Sequence, residues 1–512
     1  MNGAQSLVET LLQSGIDTCF ANPGTSEMHF VAALDQSPGM RCVLGLQENV
    51  VTGMADGYYR IASKPAVTLL HCGPGLANGL ANLHNARRAR SGIVNIVGDQ
   101  ATYHRPLDAP LTADTESLAR SVSAWVRTCE HAANVGGAAA AAIQAARSFP
   151  AKVATLILPS DASWDEGGVV AEALPELPAP AIDPSAVQQA ARALRSGGKA
   201  LLLLAGNGTS VVGQTLAWRI AQATGAALMA DYVTAQVARG RGRLPLARVP
   251  YVTDAAVQAL RDFEHIVLVS AKAPVGFFAY PGKPSKQYSD TAQLHVLARE
   301  DQDALASLEA LASEIGAPPA AFPDVGPAPD VVNGAPTPEG LAQTLAAVLP
   351  EQAIVIDESV SYGRGFYPHT VAAAPHDWLH LVGGAIGAGL PMATGAALAG
   401  NGRRVIALQA DGSAMYTLQA LWTQARERLP VTTLLLSNRK YGILIGEYKN
   451  VGATPGSTAM SMLDLGNPDL DWVKLAGGMG VEAARATTLE SCADLMRQSF
   501  QRDTPFLIEL IV

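Results

Sequence analysis

The sequence predicts an α/β protein of three domains, each with a central, mostly parallel sheet flanked by helices. Short β-rich runs alternate with longer, alanine-rich stretches, and the runs are apolar throughout, as in parallel strands that are covered on both faces. A chain of 512 residues, 48% hydrophobic and 16% charged, is typical of a soluble globular protein. One domain per about 150 residues gives roughly three domains.

The first predicted domain comprises residues 1–165. Several of its apolar runs are followed by glycine, proline or polar residues, which can form a site where parallel strands end. The alanine run Ala138–Ala142 predicts a helix. The candidate strands of this domain are Asp17–Phe20, Arg41–Leu46, Ala66–Leu70, Ile93–Val97 and Val153–Leu158.

Two proline-rich stretches predict the remaining boundaries. They run from Leu174 to Pro184 and from Ala317 to Pro338. We therefore expect a middle domain of residues 185–316 and a C-terminal domain of residues 338–512. Their candidate strands are Ala200–Leu204 and Ile266–Val269 in the middle, then Ala353–Asp357, Arg404–Gln409, Val431–Leu436 and Phe506–Val512.

The net charge indicates which class of partner to expect, and the positions of the cysteines indicate the cellular compartment. The formal net charge of -9 at pH 7 argues against nucleic acid and anionic membranes, which attract basic patches, so we expect a small-molecule partner. The five cysteines are scattered without a CxxC pair, which indicates a reducing compartment rather than a disulfide framework or zinc site. Because the sequence has no signal-peptide pattern in residues 1–15, and no apolar run near the roughly 20 residues of a membrane span, we expect a cytoplasmic protein.

Polar residues follow two candidate strands of the C-terminal domain. Asp411, Gly412 and Ser413 follow one strand, and Asn438 follows the next, 27 positions after Asp411. A parallel sheet can bring these ends together, and Mg²⁺ prefers such oxygen ligands. Gly412 allows close approach of a phosphate, and Ser413 is expected to begin a helix whose N–H groups favour an anion. Asp-Gly-Ser alone is more typical of an ordinary turn and helix cap; the paired asparagine reverses this and favours a metal–diphosphate site.

At these residues the chain resembles the thiamine-diphosphate decarboxylase and carboligase superfamily. That signature opens with Gly-Asp-Gly and closes with Asn-Asn, where this chain has Ala410 and Ser437 in place of the first glycine and the first asparagine. The resemblance implies metal ligation by Asp411, Asn438 and the backbone carbonyl of Lys440, so neither substitution removes a ligand. It also implies cofactor contacts from Tyr441 and Gly442, which complete the same motif.

A second match surrounds Glu48, which ends the segment Leu46-Gln47-Glu48 ahead of the helical stretch Asn49–Arg60. The resemblance implies a buried glutamate that donates a proton to the pyrimidine ring of the cofactor. That chemistry needs a desolvated carboxyl group that holds a proton. Without the metal motif, a glutamate after a strand is more often a solvated residue at a helix start.

Further matches complete the expected cofactor site. In the glycine-rich segment of residues 383–391, the resemblance implies that Ile386 supports the bent cofactor. The Gly384 carbonyl and the Ile386 N–H would hold the pyrimidine edge. A glycine-rich loop that opens a packed helix is the plainer interpretation. Pro23 and Ser361 also match positions of the family, the latter a diphosphate contact.

Within the superfamily the chain is most similar to benzoylformate decarboxylases. The likeness implies that His71 is a general acid or base, for which an imidazole is suited near neutral pH. A structural histidine at a strand end is the alternative. The implied substrate-pocket residues are Thr25, Ser26, Asn78, Ala279 and Leu444. Thr25 stands where that family has a serine, and Ala279 where it has a second catalytic histidine, so one proton-transfer group is missing. Apolar Leu444 favours a hydrophobic substrate tail.

Two alternative functions remain open. One is an acetolactate synthase, whose loops resemble Cys72-Gly73-Pro74-Gly75. Many such enzymes carry FAD, but the stretch Gly206–Thr209 is not a GxGxxG motif, so FAD is not expected. The other is a protein that binds the cofactor without catalysis, which the retained Glu48, Asp411 and Asn438 argue against.

The resemblance also implies a mechanism and an assembly. The thiazolium carbanion adds to a 2-oxo acid, CO₂ leaves, and the resulting enamine is protonated or captured by a second carbonyl, such as an acceptor aldehyde. The family places the glutamate and the metal ligands on facing subunits. We therefore expect a homodimer or homotetramer with active sites between subunits.

Overall fold

The computed structural model describes residues 1–512 and arranges them around three sheets. Every strand pair but one is parallel, and helices cover the sheets, so the predicted α/β class is confirmed. No helix has the length and apolar character needed to cross a membrane.

The first sheet has six parallel strands in the order β2-β1-β3-β4-β6-β5. Its strands are β1 (Thr18–Asn22), β2 (Arg41–Leu44), β3 (Ala66–Leu70), β4 (Ile93–Asp99), β5 (Trp125–Thr128) and β6 (Val153–Pro159). Its helices are α1 (Gly3–Gln13), α2 (Met28–Asp35), α3 (Glu48–Ala62), α4 (Cys72–Ala89), α5 (Thr115–Val122), α6 (Ala132–Arg147) and α7 (Ser160–Trp164). Strands β3, β4 and β6 are buried along their whole length, which explains their unbroken apolar sequences.

The middle sheet has five parallel strands in the order β10-β8-β7-β11-β12. The strands of this segment are β7 (Ala200–Leu204), β8 (Ala227–Ala230), β9 (Gln236–Arg239), β10 (Ala247–Arg248), β11 (His265–Val269) and β12 (Gln293–Ala298). The helices are α8 (Pro184–Leu194), α9 (Val211–Thr224), α10 (Thr253–Leu260) and α11 (Ala304–Ile315). Asp183 caps α8 through the N–H of Ser185, and Pro184 occupies the first helical position, where no N–H is needed.

The third sheet has seven strands in the order β17-β18-β16-β15-β13-β14-β9. The strands after residue 338 are β13 (Ala353–Glu358), β14 (His376–His380), β15 (Val405–Ala410), β16 (Val431–Ser437), β17 (Glu482–Ala486) and β18 (Phe506–Ile511). The helices are α12 (Pro338–Val348), α13 (Phe366–His369), α14 (Gly389–Ala399), α15 (Asp411–Ala414), α16 (Ala420–Arg426), α17 (Gly442–Asn450), α18 (Ser457–Leu463), α19 (Trp472–Gly478) and α20 (Leu489–Phe500).

Strand β9 belongs to the middle segment of the sequence but pairs antiparallel with β14 in the third sheet. The predicted middle domain, residues 185–316, therefore contains one strand, β9, that pairs with a strand of the C-terminal domain. Its single antiparallel strand closes one edge of an otherwise parallel sheet, a common arrangement in doubly wound folds.

Helices α3 and α14 cross at very short range and join the first and third sheets. A Cβ at Gly57 would lie 2.1 Å from the backbone oxygen of Met392, and one at Gly395 would lie 1.9 Å from the backbone oxygen of Met54. Only glycine permits this approach. The crossing lies in an apolar core that contains Leu83 and Trp472 from the two parts of the chain.

All of the predicted strands are present, and their ends differ from the prediction by at most two residues. The run Arg41–Leu46 was expected to be a strand throughout, but β2 ends at Leu44. Leu46 is exposed, and Gln47 already caps α3 by accepting hydrogen bonds from the N–H groups of Asn49 and Val50. The helix cap ends the strand early.

Candidate active site

The first group of candidate residues lies where β1, β2 and β3 end. Glu48 is the first residue of α3 and is half-buried in the single chain. Its Oε2 accepts a hydrogen bond from Asn78 Nδ2 at 3.0 Å. A Cβ at Gly75 would lie 3.1 Å from Glu48 Oε1, so the carboxylate lies directly over the first turn of α4.

His71 follows β3, and its imidazole meets a carboxylate that the sequence analysis missed. His71 Nδ1 lies 2.8 Å from Glu27 Oε2 and 3.2 Å from Ser26 Oγ. Glu27 is only 3% exposed. No spacing rule relates residues 27 and 71; they meet because β1 and β3 are neighbours in the sheet. The only signal in the sequence was an acidic residue soon after a strand end; its burial is shown by the structure.

The segment after His71 differs from its predicted form. Gly73, Pro74 and Gly75 were expected to form a loop, but they belong to the first turn of α4, which begins at Cys72. Proline is tolerated in a first turn because its missing N–H would have no partner there. Cys72 has a φ of 51°, in the left-handed region, and lies 3.1 Å from Ser26 Oγ through its Sγ.

The proposed pocket residues differ in exposure. Ser26 is half-buried in the His71 cluster, whereas Thr25 and Asn78 are exposed. Leu444 is 45% exposed on α17. Ala279 is exposed in the loop after β11; from the same loop, Phe277 packs against Gly384, where a Cβ would lie 2.5 Å from the ring.

The second group of residues lies where β13, β15 and β16 end in the third sheet. Asp411 is 3% exposed, and its two oxygens accept hydrogen bonds from the N–H groups of Gly412 at 2.8 Å and Arg439 at 2.7 Å. Burial raises the pKa of Asp411, and the carboxylate forms no ion pair. The Asn438 side-chain Oδ1 accepts from the Lys440 N–H at 3.1 Å, and the Lys440 backbone carbonyl accepts from the Gly442 N–H at 2.9 Å.

Side chains from two strand ends converge around Gly442. A Cβ there would lie 3.2 Å from Ser361 Oγ and 3.3 Å from Asn438 Nδ2. The Tyr441 ring packs against Gly412, where a Cβ would lie 2.6 Å from the ring. Glycine at both positions keeps this surface open.

Ser413 has a different role from the predicted one. It was expected to begin a helix with an anion site at its N-terminus, but α15 starts at Asp411 and has only four residues. The Ser413 hydroxyl is buried, donates to the Ala410 carbonyl at 3.1 Å and accepts from Gln409 Nε2 at 2.6 Å. Its side chain therefore holds the strand end together and offers no free donor for a diphosphate.

In the segment of residues 383–387, backbone groups that are hydrogen-bonded to α4 alternate with backbone groups that have no partner. The Gly383 carbonyl accepts from His84 Nε2 at 3.0 Å, and the Ala385 carbonyl from Asn85 Nδ2 at 2.8 Å, both from α4. The Gly384 carbonyl and the Ile386 N–H, in between, have no hydrogen-bond partner within the chain. Gly384 has a φ of +79°, a conformation that favours glycine.

A fully buried carboxylate that the sequence analysis did not single out holds this segment from behind. Glu358 Oε1 accepts from the N–H groups of Gly387 at 2.7 Å and Ala388 at 3.2 Å. Its Oε2 accepts from Gly389 N–H at 2.7 Å and Gln409 Nε2 at 3.0 Å. Burial raises the pKa of Glu358, and these four donors oppose that effect. Glu358 thus fixes the backbone just after Ile386.

Two family models match the chain. "Thiamine pyrophosphate enzyme, N-terminal TPP binding domain" matches residues 1–120, and "Thiamine pyrophosphate enzyme, C-terminal TPP binding domain" matches residues 364–510. "Putative acetolactate synthase large subunit IlvX" of Mycobacterium tuberculosis is 50% identical, over 100% of this chain and 99% of that protein. The chain belongs to the thiamine-diphosphate enzyme family.

Other relatives of this thiamine-diphosphate enzyme carry different names. Benzoylformate decarboxylase of Pseudomonas aeruginosa is 30% identical over 98% of this chain and 97% of that protein. The structure of a thiamine-diphosphate-dependent 4-hydroxybenzoylformate decarboxylase from Rhodococcus jostii RHA1 superposes with a TM-score of 0.85, at 26% identity over 99% and 98% of the two chains. The predicted superfamily and enzyme class are thereby confirmed.

The residues of this thiamine-diphosphate enzyme fit its cofactor. The free carbonyl of Gly384 and the free N–H of Ile386 provide one acceptor and one donor, as the edge of an aminopyrimidine requires. Asp411 is a buried carboxylate without a cationic partner, beside further oxygen atoms of the kind that bind Mg²⁺. No hydrogen bond joins these residues to the Glu48 and His71 group, and we refer to the two groups as the Asp411 half-site and the Glu48 half-site.

Proposed function

We propose that this protein is a thiamine-diphosphate- and Mg²⁺-dependent 2-oxo-acid decarboxylase or carboligase of the benzoylformate decarboxylase kind. The observation that carries the proposal is the pair of half-sites at strand ends. One has a buried, unpaired Asp411 beside Asn438, and the other has Glu48 and a carboxylate-bound His71. The names of the two decarboxylase relatives support this reaction class.

The proposed metal ligands are Asp411, the Asn438 side-chain oxygen and the Lys440 backbone carbonyl. Each of these oxygens has one protein hydrogen bond and retains a lone pair for a cation. Ser361 and the backbone at Gly412 and Gly442 would contact the diphosphate. Tyr441 would support that surface through its ring, since it packs on Gly412.

The pyrimidine side of the cofactor is assigned to Gly384 and Ile386. The Gly384 carbonyl would accept from the amino group, and the Ile386 N–H would donate to the ring. The apolar side chain of Ile386 would support the bent shape of the cofactor. When bound, the cofactor supplies an electron sink for the carbon–carbon bond next to the substrate carbonyl.

Glu48 and His71 are assigned the proton chemistry. Glu48 would hold a proton on its carboxyl group for a ring nitrogen of the cofactor, and Asn78 orients that carboxyl group through its amide. His71 Nε2 makes no hydrogen bond within the chain and would exchange a proton with the substrate or product. Pro23, Thr25 and Ser26 would line the same end of the site.

The substrate pocket is proposed to favour an apolar tail. Leu444 and Ala279 are exposed and lie in segments that also carry aromatic side chains, such as Phe277 beside Gly384. Apolar walls with few polar groups are typical of small-molecule pockets. A 2-oxo acid with an uncharged, hydrophobic tail fits this lining, with an aldehyde as a second substrate for ligation.

The half-sites also support an assembly. We propose a cytoplasmic homodimer or homotetramer in which the Glu48 half-site of one subunit faces the Asp411 half-site of its neighbour. A second chain would also cover Glu48, which is half-buried in a single chain. Analytical ultracentrifugation with activity measured across the peaks tests this, and an active monomer would refute it.

Acetolactate synthesis without FAD is the second candidate. It is favoured by the 50% identity to a protein with that name and by the absence of an imidazole at Ala279. Without a proton donor at this position, protonation of the enamine would be slower, and a second 2-oxo acid would have more time to react with it.

Product analysis separates the two. Pyruvate, phenylpyruvate and benzoylformate are incubated with the enzyme, thiamine diphosphate and Mg²⁺, with and without an acceptor aldehyde. Aldehyde formation without acceptor supports the decarboxylase, whereas acetolactate or 2-hydroxyketone as the sole product supports a ligase. No turnover of any 2-oxo acid would refute both.

A further inference from the structure

The cluster around His71 has a feature that the proposed roles do not use, a buried glutamate bonded to the imidazole. We propose that Glu27 is a positioning residue: it holds the imidazole proton of His71 on Nδ1 and so leaves Nε2 as the atom that exchanges protons. The assignment rests on the proposed function for its kinetic consequences, but the tautomer itself is a property of the protein alone.

The hydrogen-bond donors around Glu27 are mutually consistent. Its Oε2 accepts from Gly24 N–H at 2.8 Å and faces His71 Nδ1 at 2.8 Å. Its Oε1 accepts from the Ser26 hydroxyl at 2.5 Å. Ser26 Oγ in turn lies 3.1 Å from Cys72 Sγ, and burial raises the pKa of Cys72 to about 11, so this thiol is a donor at neutral pH. Every proton in the cluster points toward Glu27.

The Glu27 carboxylate also has a single basic neighbour, the imidazole of His71. No lysine or arginine nitrogen lies within 4.0 Å of its carboxylate, and His71 is its sole ion-pair partner. Apart from the imidazole, the Gly24 N–H and the Ser26 hydroxyl donate to this carboxylate, so its oxygens act as acceptors. An imidazole with its lone pair on Nδ1 would set two acceptors 2.8 Å apart. The Nδ1–H form is therefore selected.

Two glycines make room for the pair. A Cβ at Gly98 would lie 1.7 Å from Glu27 Oε1, and a Cβ at Gly24 would lie 2.2 Å from the imidazole ring of His71. Glycine at these two positions, near the ends of β4 and β1, leaves space for the carboxylate and the ring, which a larger residue would displace.

The geometry gives His71 a defined task. With Nδ1–H donated to Glu27, the Nε2 lone pair accepts a proton to give an imidazolium next to a carboxylate, and Nε2–H then returns that proton. Base and acid are the same atom at successive steps.

The test compares Glu27→Gln with wild-type holoenzyme. Nitrogen-15 magic-angle-spinning spectra of histidine-labelled protein report the protonated ring nitrogen, and His71→Asn identifies the His71 signals among ten histidines. We expect Nδ1–H in the wild type and a mixture or Nε2–H in Glu27→Gln, because an amide can also donate to Nδ1. The value of kcat should fall on the order of 100-fold, the lower range for a positioned acid or base, with KM within about 3-fold.

Two further variants distinguish a positioning role of Glu27 from a general loss of folding. Glu27→Asp keeps the charge and should retain the Nδ1–H signal and recover part of kcat. Gly98→Ala keeps Glu27 but displaces its carboxylate, so it should reproduce the loss. Glu309→Gln, at an exposed position on α11, is the matched control and should change nothing.

The outcomes are distinguishable. Wild-type protein with Nε2–H, or Glu27→Gln with unchanged tautomer and kcat, would overturn the positioning role. The ligand atoms of Glu27, His71 and Cys72 lie within 4.8 Å of one another. A stoichiometric transition metal in purified protein, lost in Glu27→Gln, would overturn it in favour of a metal site. If no 2-oxo acid is turned over, the proposed function fails while the spectra still decide the tautomer.

Discussion

Replacing Glu358 with glutamine tests whether one buried carboxylate fixes the segment proposed to hold the pyrimidine. In the protein, its two oxygens accept from four donors, the N–H groups of residues 387–389 and Gln409 Nε2. Glutamine is nearly the same shape but has one acceptor oxygen. Its amide nitrogen must then face two of the four donors.

The number of donors left without an acceptor determines the free-energy cost of Glu358→Gln. A buried donor without an acceptor costs about 1–3 kcal/mol, so two of them cost about 2–6 kcal/mol. Removing the buried charge offsets part of this, since burial raises the pKa of Glu358. We therefore expect a net local loss near the lower limit, about 2 kcal/mol, which corresponds to about 30-fold faster opening of the segment.

Hydrogen–deuterium exchange of peptides that cover residues 383–391 measures this opening directly. It is preferable to a global unfolding curve, because a chain with several sheets need not unfold in one step. Affinity for thiamine diphosphate should fall as well, since Gly384 and Ile386 lie just before the anchored residues. Glu351→Gln, at an exposed position of the same part of the chain, is the control. Unchanged exchange in Glu358→Gln would refute the reasoning.

Three further predictions concern charge. Glu48→Gln should lower kcat by about 10²–10⁴-fold and leave cofactor binding intact by calorimetry; retained activity would contradict the proton role. Asp411→Asn should weaken Mg²⁺ binding by more than about 100-fold, because it removes the buried carboxylate proposed as a ligand; an unchanged Mg²⁺ titration would count against it. Burial lowers the pKa of His376 to about 4, so the unfolded chain takes up this proton first. The stability of this part of the chain should therefore fall by up to about 1.4 kcal/mol per pH unit from about pH 6.5 to pH 4. The fall should be less steep in His376→Gln, measured by hydrogen–deuterium exchange of peptides that cover β14 and corrected for the intrinsic exchange rate at each pH.

The parts of the fold that could be predicted are those in which the residues of the element itself show a clear pattern. Central strands such as β7 and β16 are buried along their length and so have unbroken apolar sequences. The strands without a prediction lie at or near sheet edges, where one side is solvated. Strand β12 exposes Val296, and β17 has the sequence Glu-Ala-Ala-Arg-Ala, so neither has a continuous apolar run.

The same distinction holds at the candidate site. Asp411 and Asn438 were expected to meet because consecutive strands of a parallel sheet are commonly neighbours. Glu27 and Glu358 were missed because their partners depend on strand order and on the path of a loop. Ser413 was misjudged because its helix has a single turn, which no residue pattern reveals.

Strand β9 has a consequence for how this protein can be recombined. Its removal with residues 185–316 would expose the unpaired backbone edge of β14 and take away the Arg239 guanidinium that lies over the Tyr367 ring. Exposed edges of that kind invite aggregation. Chimeras made by exchanging the middle segment between relatives therefore have to keep Gln236–Arg239 with its own C-terminal sheet.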